Sequence, residues 1–205
     1  MDVELLDAFR RRIIHSQLED GTRVCIRSIM PADEPLMREG IEQLSVESRY
    51  LRFFSGQPMP PDRVIRRLVD ADGSRHIAWG AILTDNDLHP AIGAVHAVRP
   101  GEDIHSAEFS IAIIDSHQGL GLARMLIAVL LVNCYLAAIA SLDVQILSEN
   151  QAARRLVMSL GAERHTSQYS VTEYTIDVPA ALETLRNGQD TRGLRDVFVA
   201  LAPYL

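Results

Sequence analysis

The chain reads as one α/β (α+β) domain over residues 1–205, and three observations point there. Apolar residues recur in alternation at strand length and at helical spacing along the whole chain. Two strand-like runs, 75–84 and 91–98, flank the polar turn Asp85-Asn86-Asp87 and so form an antiparallel hairpin. A third run at 107–114 passes through two glycines directly into a long apolar helical stretch, a strand handed over to a helix. With 205 residues there is material for one well-buried core, and no linker divides it.

Taken in order, Val3, Leu5, Leu6, Phe9, Ile13 and Ile14 fall at helical spacing, which predicts an amphipathic N-terminal helix over 1–20 that ends before Gly21. Residues 22–29 alternate as a first strand, with Val24 and Ile26 on one side and Cys25 and Arg27 on the other. Pro31-Ala32-Asp33 opens a helix reaching Leu44, because proline suits a first helical turn and acidic residues complement the dipole. Ser45 can cap a short further helix. Pro60 and Pro61 precede another, with Val64, Ile65, Leu68 and Val69 as its core stripe.

After the hairpin and the loop from Pro100 to Asp103 comes the strand that leads into the glycine turn. The helix at 120–140 is apolar on nearly every face, so it is covered on more than one side. A strand at 142–147 follows. Then comes a helix that starts on Asn150 and stops on Gly161, then strands at 164–170 and 171–177, and a helical tail over 179–205.

The glycine turn His117-Gln118-Gly119-Leu120-Gly121-Leu122-Ala123-Arg124 is a candidate anion cradle, since glycines let the backbone curl and expose N–H groups where a helix starts. A bare strand-to-helix turn is the alternative. The Walker and dinucleotide patterns do not fit, because Gly121 is followed by Leu122, Ala123 and Arg124. Gln118, Gly121 and Ala123 do fall on the fixed positions of Gln/Arg-x-x-Gly-x-Gly/Ala. The segment therefore resembles the acyl-CoA-binding motif of the GCN5-related N-acetyltransferases.

Two further segments carry the same resemblance. Leu44-Ser45-Val46-Glu47-Ser48-Arg49-Tyr50-Leu51-Arg52-Phe53-Phe54 is similar to a signature of the acetyltransferase domains of bacterial protein lysine acetyltransferases. Asn150-Gln151-Ala152-Ala153 with the closing Gly161 resembles the family's helix beside the pantetheine arm. The resemblance covers about 23–177. It implies a mixed, mostly antiparallel sheet of about six to seven strands flanked by helices, with the terminal helices as additions.

It also implies site residues: backbone of Gln118, Gly119, Leu120, Gly121, Leu122 and Ala123 for the pyrophosphate of acetyl-CoA, Ile111 and Ile113 as the hydrogen-bonding edge for pantetheine, and Asn150 beside it. Ala107-Glu108-Phe109 matches the Ala-Glu-Phe that holds the catalytic glutamate in those lysine acetyltransferases. The chemistry needs such a group. A lysine amine titrates near 10.4, so only about one in two thousand is free base at neutral pH, and a carboxylate in an apolar setting can take the proton. Read without the resemblance, Glu108 is a strand-end glutamate open to solvent. One departure stands out: where many members carry a tyrosine to protonate the leaving thiolate, this chain has Val157 and Met158.

Composition limits the alternatives. At 47% hydrophobic and 23% charged the chain is neither disordered nor membrane-spanning, and the apolar run 125–140 is broken by Asn133. The acidic start Met1-Asp2-Val3-Glu4 lacks the positive region of a secretory signal, so a cytoplasmic location is expected. A net charge of −7 argues against nucleic acid and suits cationic substrates. The seven histidines lack zinc spacing, so no metal is expected; Cys25 and Cys134 read as reduced core residues, and no covalent-nucleophile motif appears.

The expectation is thus an N-acetyltransferase acting by direct attack in a ternary complex. Protein lysines, such as those of an acyl-CoA synthetase, are the leading acceptor. A small-molecule amine is the runner-up, a non-catalytic acyl-CoA-sensing module the alternative from another class, and apolar terminal helices leave a homodimer open.

Overall fold

The computed structural model describes residues 3–101 and 105–205. Met1 and Asp2 of the acidic start, the side chain of Val3, and Glu102 and Asp103 of the loop after Pro100 lie outside the described residues. The elements run α1 (Val3–Arg10), β1 (Ile13–Gln17), β2 (Arg23–Ser28), α2 (Glu34–Gln43), α3 (Val46–Phe53), α4 (Asp62–Val69), β3 (His76–Leu83), β4 (Ala91–Val98), β5 (Ser106–Ile113) and α5 (Leu122–Leu136). They continue with β6 (Ser141–Leu147), α6 (Gln151–Ser159), β7 (Glu163–Gln168), β8 (Val171–Asp177), α7 (Val178–Asn187) and α8 (Arg192–Leu201). A single 3₁₀ turn, Pro31–Asp33, precedes α2.

Eight strands form one sheet in the order β1-β2-β3-β4-β5-β6-β8-β7, antiparallel except where β5 meets β6. This is one strand more than the sequence suggested, and the difference lies at the N-terminus. The helix predicted over 1–20 stops at Arg10, and Ile13 and Ile14 belong to β1 instead. Their spacing fits both structures, but Ile13 is exposed while Ile14 is buried opposite Ile26, the alternation of a strand.

The helix expected over 120–140 is shorter for a similarly local reason. Gly121 sits in the left-handed region at φ 84 and caps it, so the first helical residue is Leu122, and the last is Leu136. Eleven of its residues are buried, from Leu122 through Cys134. Helices α1, α7 and α8 pack round α5 on one face of the sheet, while α2 packs on β4 and α4 on α2 across the other. Asn133, the polar break in the apolar run, accepts a hydrogen bond from Trp79 Nε1 at 3.0 Å and so fixes α5 to β3. Among the described residues no helix is long and apolar enough to cross a membrane.

The C-terminal tail is tied to the domain. Asp177 caps α7 by accepting from Ala180 N–H, Thr191 caps α8, and Ser16 on β1 donates to Asp196 and to the Gly193 carbonyl. Gly193 is a close approach, since a Cβ there would lie 2.4 Å from the Gln17 carbonyl oxygen.

Candidate active site

The sheet comes apart in its middle. Strands β5 and β6 are paired only through Ser106↔Ser141, Ala107↔Leu142 and Glu108↔Asp143, after which β6 continues against β8 and β5 against β4. From Phe109 onward one edge of β5 is open. Which groups lie on it follows from strand geometry. Ile114 N–H donates to the Ile92 carbonyl on β4, so Ala112 and Ser110, in step with it, also turn their backbone groups to β4. Ile113, Ile111 and Phe109 turn theirs to the open side. Gln118 agrees with this assignment, because its side-chain Nε2 donates to the Ile113 carbonyl at 3.0 Å.

This opening widens into a cleft of about 1420 Å³. Strand β5 and α3 make one wall, β6 and α6 the other, and the start of α5 closes one end. The cleft brings together Glu108, Ile111, Ile113, Gln118, Gly119, Gly121, Leu122, Ala123 and Asn150. Leu120 alone of the expected set does not line it; its carbonyl instead accepts from Glu19 N–H, joining the β1–β2 turn to the glycine turn.

At the closed end Gly119 and Gly121 have φ 74 and 84, conformations that L-residues rarely adopt. Among the described residues the N–H groups of Gly119, Leu120 and Gly121 donate to no protein acceptor, and the first N–H groups of α5 are unpaired by helix geometry. This donor-rich curl fits a diphosphate. Arg124 in the first turn of α5 faces the same end but is held by Asp190 and the Gly188 carbonyl, contacts that also pull the Asp190 carboxyl below its usual range. Asn150 uses its side chain to cap α6, accepting from Ala153 N–H at 3.0 Å.

At the other end Glu108 stands where the strands part. It is exposed and its register partner is Asp143, so the apolar setting expected for it is absent: at this seam both neighbouring strands carry carboxylates and face water. Asp143 accepts from the Thr175 hydroxyl, and Thr175 in turn accepts from His165 Nε2, because its one proton is already used. None of these partners was legible in sequence. Val157 is buried and Met158 exposed, and neither can supply a proton.

The role of the 44–54 signature becomes visible as a clamp. Ser45 N–H, Ser45 Oγ and Ser48 Oγ all donate to Asp115, just beyond β5, while Arg52 donates to Ser110 Oγ in the middle of β5 at 2.8 Å. Asp115 is partly desolvated, yet these bonds hold its carboxyl below the usual range. Burial brings the Arg52 guanidinium down to about 10, still a cation at neutral pH. Helix α3 is thereby fixed along β5 at two points.

A model of one protein family, described as the acetyltransferase (GNAT) domain, matches residues 23–163. The chain belongs to the GNAT acetyltransferase family. Its sequence is 27% identical over 163 residues to the acetyltransferase Pat of Mycolicibacterium smegmatis, covering 80% of this chain and 48% of that protein. An acetyltransferase of Pseudomonas aeruginosa is 28% identical over 109 residues, covering 53% and 58%. The chain thus spans about half the length of these relatives.

Among solved structures, the GNAT domain of S. lividans PAT superposes with a TM-score of 0.74 at 22% identity, covering 80% of this chain and 96% of that one. Spermidine N-acetyltransferase from Vibrio cholerae, in complex with CoA and spermine, gives 0.61 at 17%, covering 78% and 98%. Both share the GNAT fold. Among the described residues no group of three or more His, Cys, Asp or Glu is placed to hold a metal.

Proposed function

We propose that this GNAT domain transfers an acetyl group from acetyl-CoA to protein lysine side chains, with Glu108 as the base. One observation supports it above the others: the donor-rich glycine turn, the open edge of β5 and Glu108 follow one another along a single cleft. In this reading the turn 118–123 holds the diphosphate, and Ile111 and Ile113 offer backbone groups to the pantetheine amides. The thioester then lies at the parting of the strands. Glu108 takes a proton from the acceptor ammonium, the freed amine attacks the thioester carbon, and the tetrahedral intermediate gives its extra N–H proton to water as it expels the thiolate. A thiolate is a far better leaving group than an alkoxide or an amide anion, so the absence of an acid at Val157 and Met158 does not block the reaction.

The test is incubation of the protein with labelled acetyl-CoA and a purified acyl-CoA synthetase. The expected result is one discrete acetyl mass increase at an active-site lysine, lost with Glu108→Gln. A second reading has its own observation, the convergence of Glu47, Glu108, Asp143 and Glu173 on the cleft, which suits a small polycation. Rapid acetylation of spermine with the synthetase unmodified would favour that reading. Absence of thiol release with either acceptor would favour a sensing module.

A further inference from the structure

The sheet face under α2 holds a second, smaller hollow. Gly80, Ala94 and Ala112 are register partners on β3, β4 and β5, so three adjacent strands present almost no side chain in one row. With Met37 and Ile41 of α2 they enclose a pocket of about 70 Å³, whose charged and titratable lining residues are Arg27, Asp33, Arg52 and His96. Arg27 and Asp33 satisfy each other. Arg52 and His96 are neighbours, since Arg52 donates to Ser110 Oγ and Ser110 is the register partner of His96.

Both have bonding capacity left over. Among the described residues half-buried Arg52 pairs with no carboxylate, and its bond to Ser110 leaves its other N–H groups without a protein acceptor. His96 is 2% exposed, with its Nδ1 3.0 Å from His76 Nε2, while His76 Nδ1 lies 3.3 Å from the Asp70 carbonyl. A carbonyl only accepts, so His76 carries its proton on Nδ1, His96 donates through its own Nδ1, and His96 Nε2 is left as a bare lone pair. Burial, with Arg52 and His76 beside it, holds the His96 pKa well below its ordinary value and keeps the ring neutral. Among the described residues no group donates to that nitrogen.

We propose that this pocket is a second ligand site, separate from the acetyl-CoA cleft, for a short-chain monocarboxylic acid such as propionate. A desolvated guanidinium without a counter-ion suits a carboxylate, which accepts from its free N–H groups. One proton is bound with each anion. It goes to His96 Nε2, which then donates to the second carboxylate oxygen, while His76 and Arg52 remain the groups beside the ring and Asp33 stays engaged by Arg27. The hydrocarbon end lies over Gly80 and Ala94. Size sets the length: a cavity of about 150 Å³ takes the six carbons of benzene, so about 70 Å³ suits an acid of roughly two to three carbons.

The experiment titrates the full chain, isotope-labelled at its histidine nitrogens, with sodium propionate, and with hexanoate and chloride for comparison. Propionate should bind saturably and move the His96 Nε2 resonance from the unprotonated to the protonated range. Hexanoate should bind about tenfold more weakly, the reverse of an ordinary apolar surface, where each added methylene strengthens binding. Ala94→Val, which fills the floor, and Arg52→Gln, which removes the cation, should each weaken propionate binding by about tenfold, with calorimetry on acetyl-CoA establishing that the cleft is formed. Should either variant fail to fold, the wild-type comparisons still decide. Hexanoate or chloride binding as tightly as propionate, a His96 resonance that does not move, or displacement of propionate by saturating acetyl-CoA would overturn the proposal.

Discussion

Replacing Gly121 by valine tests the diphosphate cradle most directly. Gly121 lies at φ 84, where an L-residue costs about 1–2 kcal/mol, and a β-branched one is at the upper end of that range. A Cβ there would stand 3.1 Å from Glu19 Oε1, the mobile end of an exposed side chain that can swing away, so little is added. The expected loss of stability is about 2 kcal/mol, which a domain worth 5–15 kcal/mol survives. A branched side chain at this position should, by contrast, obstruct the approach of a diphosphate to the backbone N–H groups of the turn. Acetyl-CoA affinity should fall by about 2 kcal/mol or more, roughly thirtyfold.

Gly119→Ala separates strain from obstruction. Gly119 shares the left-handed conformation at φ 74, but nothing lies within 4 Å of its Cβ position. Isothermal titration with acetyl-CoA, beside urea unfolding of each variant, gives both quantities. A folded Gly121→Val protein that binds acetyl-CoA like the wild type would refute the cradle.

Three more outcomes are expected. Glu108→Gln should keep acetyl-CoA affinity while thiol release near neutral pH drops by about a hundredfold, and a loss of only a few-fold would assign the base to water or another group. Asp33 is half-buried, which raises its pKa, but its bonds to Arg27 at 2.6 and 2.8 Å and to Met30 N–H outweigh this and hold the carboxyl low. Its contribution is therefore complete above the unfolded value near 3.9 and vanishes as pH falls through the lower folded one. Asp33→Asn should cost about 2 kcal/mol at pH 7 and flatten the acid side of a plot of urea midpoint against pH. Gly193→Ala would push a Cβ to 2.4 Å from the Gln17 carbonyl and 2.8 Å from Met125 Sδ, so the urea midpoint should fall by the equivalent of about 2 kcal/mol; no change would mean that α8 sits loosely on β1.

What the sequence disclosed follows the range of the interactions involved. The glycine turn, the caps at Ser45 and Asn150 and the stripe of α4 depend on residues within one turn of each other, and all were legible. Strand β1 was not, because Ile13-Ile14-His15-Ser16-Gln17 is too short to establish alternation and continues the helical spacing of α1 by chance. Within the site, residue types announced the glycine turn and the Ala-Glu-Phe segment. The surroundings of Glu108 were hidden, since Asp143, Thr175 and His165 come from three other strands and share no local pattern with it. The same holds for Asp115 and its grip on α3 from 70 residues away.

The open side of β5 has a consequence for what can enter. Free strand edges normally lie at the rim of a sheet, where any passing extended chain can add to them and seed aggregation. Here the edge is interior, walled by α3 on one flank and by β6 and α6 on the other. A polypeptide strand brings side chains on both faces. A pantetheine arm is a thin amide-bearing thread without side branches along most of its length. On the proposed reading the domain keeps a largely unpaired edge inside its cleft, with the pantetheine arm as its missing neighbour.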